Sequence, residues 1–66
     1  MKVILNNREL TVEPGCTLLQ LITAEGIPTT NVAIAINNRL VLFNQWQTAI
    51  LQAGDRIVVV AAAYGG

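Results

Sequence analysis

The tripeptide Asn-Asn-Arg occurs twice, at Asn6-Asn7-Arg8 and at Asn37-Asn38-Arg39, each time between two short apolar runs. Asparagine tolerates the positive φ that a tight hairpin demands, so each copy predicts a turn joining two antiparallel strands. Around the first copy, Val3, Leu5, Leu10 and Val12 alternate with Lys2, Ile4, Glu9, Thr11 and Glu13, the period-two pattern of half-buried strands. Residues 2–13 therefore read as one hairpin, which Pro14-Gly15 stops. Around the second copy, Val32-Ala33-Ile34-Ala35-Ile36 forms the outgoing strand and Leu40-Val41-Leu42 the return.

Between the hairpins, Thr17-Leu18-Leu19-Gln20 matches the capping box, in which a hydroxyl and a glutamine side chain satisfy each other's free backbone donors. Leu18, Leu21, Ile22 and Glu25 follow at helical spacing. Gly26 and Pro28 supply a left-handed cap and a stop. The spacing predicts one helix over residues 18–25, with Leu18, Leu21 and Ile22 as its buried stripe. Residues 44–51 carry Trp46, Ile50 and Leu51 in a segment expected to be irregular or a single helical turn, and Ala53-Gly54-Asp55 reads as a turn. Ile57-Val58-Val59-Val60-Ala61 is apolar at both parities, which predicts a central strand covered on both sides and paired in parallel with a neighbour. Two hairpins, a helix between them and a last strand laid down the middle give an α+β chain in the β-grasp arrangement, a mixed sheet wrapping one helix.

At 66 residues the chain is expected to be one domain, 1–66, with residues 63–66 as a flexible C-terminal tail. A domain this small buries only roughly 60% of the surface its unfolded chain exposes. Its 53% hydrophobic residues offset that, and its 12% charged residues leave some apolar surface open as a docking face. Four cations against four anions make neither the basic footprint of a nucleic-acid binder nor a polybasic membrane patch. Every apolar run is too short to span a membrane, and Met1-Lys2 leads straight into a strand pattern with no signal peptide. The single Cys16 suits a reducing cytoplasm.

Self-contained catalysis is not expected. The sequence has no His and no Ser, and one Cys falls far short of a metal set. Glu9 and Glu13 read as a solvated strand edge rather than as a catalytic pair. Cys16 lies just before the helix start, a position that activates thiols in some proteins, but a small residue in a loop or cap is the simpler reading. Trp46 reads as core more readily than as a partner hot spot. The terminus is different. With glycine near 7% of residues, two in the last two positions arise by chance in about one chain in 200. Lacking Cβ atoms, Gly65-Gly66 can enter a tunnel that excludes other residues. From Ala63 to Gly66 the chain reaches roughly 13 Å. That points to a carrier whose working group is the Gly66 carboxylate, presented on Tyr64-Gly65-Gly66.

The whole chain resembles the ubiquitin-like sulfur carriers, most closely the ThiS carriers of thiamine biosynthesis. The resemblance rests on Ile4-Leu5-Asn6-Asn7, Gly15-Cys16-Thr17-Leu18-Leu19, Val32 to Asn38, Trp46, Gly54-Asp55-Arg56-Ile57 and the terminal Gly65-Gly66. It implies that an ATP-dependent adenylating enzyme, related to ubiquitin-activating enzymes, activates the Gly66 carboxylate. It implies further that a sulfur donor such as a cysteine desulfurase supplies the atom that makes a thiocarboxylate. On thiazole synthase that group gives its sulfur to the thiazole of thiamine. Gly65 and Tyr64 are then partner-binding residues. The chain is a co-substrate and not an enzyme, binds no cofactor itself, and leaves ATP to its partner. The small subunit of molybdopterin synthase shares fold and tail, and an interaction module or protein modifier is the reading from another class. Tyr64 is bulkier than the family pattern, and Phe43-Asn44 replaces a common Pro-Arg or similar pair; both bear on partner fit.

Overall fold

The structure, a computed structural model, describes residues 1–61. Within them the chain forms strands β1 (Lys2–Leu5) and β2 (Arg8–Thr11), helix α1 (Leu18–Ala24), strands β3 (Val32–Ile36) and β4 (Arg39–Val41), a 3-10 turn (Phe43–Gln45) and strand β5 (Arg56–Ala61). Both Asn-Asn pairs turn as expected. Asn6 and Asn7 have φ of 47° and 68°, and Asn37 and Asn38 have 52° and 68°, the left-handed pair that a two-residue hairpin requires. Each following arginine opens the return strand and does not belong to the turn.

The sheet order is β2-β1-β5-β3-β4, with β5 parallel to β1 and antiparallel to β3. The last strand is therefore central, and the β-grasp architecture stands. Helix α1 crosses one face. Its capping box is present on both sides: the Gln20 N–H donates to Thr17 Oγ1 at 3.2 Å, and the Thr17 N–H donates to Gln20 Oε1 at 2.9 Å. The helix ends one residue before the expected limit, with Glu25 as its cap and Gly26 at φ 71°. Leu18, Leu21 and Ile22 then meet Val3, Leu5, Ile34 and Ile57 from the sheet, and Trp46 and Leu51 close the side of this core.

One expectation fails. Strand β5 is not covered on both sides: Ile57 is fully buried, but Val58 is 39% and Val60 57% exposed. The reason is that α1 covers only the inner face of the sheet, and among the described residues no second layer lies on the outer face. Apolar residues at both parities thus mark the central position of β5 without implying two covering layers.

Replacing Ile22 by alanine removes a fully buried side chain from the helix–sheet contact and is expected to cost about 2–5 kcal/mol. Leu10 is only half-buried, so Leu10→Ala should cost less. Urea unfolding of the two variants checks the order.

Candidate functional site

Tyr64, Gly65 and Gly66, the residues singled out from the sequence, lie outside the described residues, as does the tail 63–66. The structure does define the strand that leads to them. On its β3 side, β5 pairs through Val32↔Ala61, so it is laddered to its last residue. On its β1 side the pairs are Ile4↔Arg56 and Leu5↔Ile57, after which β1 turns away. Beyond that point Asn6 takes over: the Val59 N–H donates to Asn6 Oδ1 at 2.9 Å, and Asn6 Nδ2 donates to the Val59 carbonyl at 3.3 Å.

A second asparagine holds the start of the same strand. The Arg56 N–H donates to Asn37 Oδ1 at 3.0 Å, and the Asn37 N–H donates to the Arg56 carbonyl at 2.8 Å. Asn37 Nδ2 reaches Asp55 Oδ1 at 2.9 Å, and Asp55 Oδ2 accepts from the Gln52 N–H at 2.7 Å. Asp55 is 8% exposed. Its two oxygens are both used, as a buried carboxylate requires. In the sequence, Asn6, Asn37 and Asp55 read as turn residues and as part of the family pattern, with nothing to mark which partners they bind. Glycine serves a left-handed turn at no steric cost, so asparagine at the same place in both hairpins was the available hint that their amides have partners.

The outer face of the sheet next to this strand is apolar. The register places Val58 opposite Ala35, Val60 opposite Ala33, and Ala35 opposite Leu40, all on one face, and Leu40 is 65% exposed. Leu42, Phe43 and Ile50 are exposed as well. The open apolar surface expected from the low charge content is therefore present.

The other candidates fall to their simpler readings. Glu9 is exposed on edge strand β2 and pairs with Lys2 at 3.0 Å, and Glu13 is exposed. Cys16 is a free, half-buried thiol that donates to the Thr17 carbonyl at 3.4 Å. Its own carbonyl accepts from the Leu51 N–H. Trp46 is 2% exposed, with its indole N–H on the Val41 carbonyl at 3.0 Å and its ring edge-on to Phe43. Among the described residues no His, Cys, Asp or Glu cluster could hold a metal, and no helix is long and apolar enough to cross a membrane.

A sequence model of the ThiS family matches residues 2–66. No curated protein matches the chain in sequence. Among solved structures the chain is similar to the crystal structure of the thiamine biosynthesis protein ThiS from Geobacter metallireducens, with a TM-score of 0.85 at 17% identity over 100% of both chains. It is also similar to an NMR solution structure of a thiamine biosynthesis protein from the same organism, with a TM-score of 0.75 at 17% identity, covering 100% of this chain and 88% of that one. At such identity these two likenesses carry the fold alone.

Asp55→Ala leaves Asn37 Nδ2 and the Gln52 N–H without their acceptor. The loss should be about 1–3 kcal/mol, read by thermal unfolding as a fall of roughly 4–8 °C for each kcal/mol.

Proposed function

Because the chain belongs to the ThiS family of ubiquitin-like sulfur carriers, we propose that it carries sulfur for thiamine biosynthesis as a thiocarboxylate on Gly66. The observation that carries this reading is that the family match runs through Gly65-Gly66, on a chain whose central strand leads directly toward them. A carboxylate is a poor electrophile until one oxygen is made a leaving group. Its oxygen attacks the α-phosphorus of ATP on an activating partner, and pyrophosphate departs. The outer sulfur of a cysteine-derived persulfide then attacks the carbonyl carbon, AMP leaves, and a thiol reductant cleaves the S–S bond of the acyl disulfide; free sulfide reaches the same product without a reductant. The resulting thiocarboxylate is the sulfur nucleophile that thiazole synthase consumes.

In this scheme the chain is a co-substrate and its partners hold the catalytic groups. Gly65 lets the terminus enter a narrow tunnel, and Tyr64 meets the tunnel mouth. The outer face built from Val58, Val60 and Leu40 is the natural docking surface, since it flanks the strand that carries the tail. A reducing cytoplasm suits the free Cys16.

Incubating the chain with a ThiS-family activating enzyme, ATP and a sulfide donor should exchange one oxygen for sulfur in the intact mass. Attachment to other polypeptides would instead identify a modifier, and no change would leave only an interaction module. Deleting Gly66 should abolish loading and leave the melting temperature unchanged; a large loss of stability would make the terminus structural. Val60→Asp places a charge on the open outer face and should cost about 1 kcal/mol of stability through lost strand propensity, leaving the domain folded. In the activation assay it should raise KM for the carrier.

A further inference from the structure

The Asn6 amide makes two bonds to one residue of β5 that lies 53 positions away, and none is recorded to its own turn. In a parallel ladder that continued past Leu5↔Ile57, the backbone of β1 would serve the N–H and the carbonyl of Val59. The chain instead turns at Asn6, with φ 47°, and its side chain supplies one acceptor and one donor in the place of a peptide group. Val59 is thereby the last residue of β5 held from both sides; Ala61 is held from β3 alone among the described residues.

We infer that Asn6 is a positioning residue for the tail: it fixes the point on β5 from which the C-terminal segment is paid out to a partner. This rests on the reading of Gly66 as the loaded carboxylate. Seven residues follow Val59 and span at most roughly 25 Å. Without the Asn6 amide, Val58 to Ala61 are held by the β3 ladder alone, so this end of β5 frays more readily, and a partner that needs it in place must order it at a cost in binding. The chemistry at the carboxylate is untouched.

Asn37 provides the control, because it occupies the same turn position and grips the same strand at its start. Glycine keeps the left-handed turn at either site, so Asn6→Gly and Asn37→Gly each remove an amide and keep the hairpin. The test combines amide hydrogen exchange by NMR with ATP–pyrophosphate exchange on a ThiS-family activating enzyme, both at a temperature where each variant is folded. Asn6→Gly should speed exchange at the Val59 amide by about tenfold or more. It should raise KM for the carrier roughly three- to tenfold with kcat unchanged. Asn37→Gly should lower the melting temperature and leave KM alone. Asn6→Asp, which keeps the acceptor for the Val59 N–H, should retain protection there and shift KM less than glycine does.

Equal KM for Asn6→Gly and the parent chain, or a KM shift that follows melting temperature across all three variants, overturns the positioning role and leaves the carrier reading intact. Failure of the parent chain itself to be adenylated overturns both.

Discussion

The backbone of β5 needs hydrogen-bond partners along both edges, and side-chain burial alone does not determine its register. Its neighbours run in opposite directions, so one edge must match a parallel ladder and the other an antiparallel one. A slip of one residue would exchange Ile57 and Val59 for Val58 and Val60 on the inner face. Valine for valine or isoleucine is a small change in apolar content, so hydrophobic patterning discriminates poorly between the two registers. The polar contacts discriminate well. Asn37 and Asp55 bind the start of the strand, and Asn6 binds Val59. A slipped strand would strain the part-buried Asn37–Asp55 contact and forfeit the exposed bonds to Arg56 and Val59, a loss that counts in a domain of marginal stability.

Similar reasoning explains the segment after β4. An isolated seven-residue helix is unstable in water, and the first N–H groups of α1 have no partners within the helix. The Leu18 and Leu19 N–H groups donate to the carbonyls of Ala49 and Trp46, and Gln20 uses Thr17. The irregular path from Trp46 to Leu51 is therefore a cap for the helix, pinned by the buried indole at one end and by Leu51 at the other. Trp46 contributes through packing and through the carbonyl it places.

The sequence was legible where the signal is local. Both left-handed asparagine turns, the capping box and the Gly26 stop are decided within a few residues, and each appears with at most a one-residue change of boundary. The central position of β5 was also legible, because a strand apolar at both parities is out of place at a sheet edge. What could not be read depends on partners distant in sequence. Exposure of Val58 and Val60 follows from having one helix to cover two faces. The bonds of Asn6 and Asn37 become visible only once β5 lies between them. Asn6, the residue best placed to govern the tail, was legible as a turn former and as part of the family pattern, and as nothing more.

The bare outer face has a property that makes sense of the chain. Among the described residues it contributes nothing to the buried core, which is made by α1, the inner face of the sheet and the Trp46 segment. Residues on the outer face can therefore change to suit a partner at little cost in stability. Lys2, Glu9 and Arg56 border that face with charges of both signs, which permits orientation without strong long-range attraction. A carrier that must be handed between enzymes gains from this separation: affinity comes from apolar area that is covered only in the complex, so release restores a face on which folding does not depend. Asn6 extends the contact between the first hairpin and the central strand beyond the β1–β5 ladder, since its amide sits on that hairpin and binds Val59.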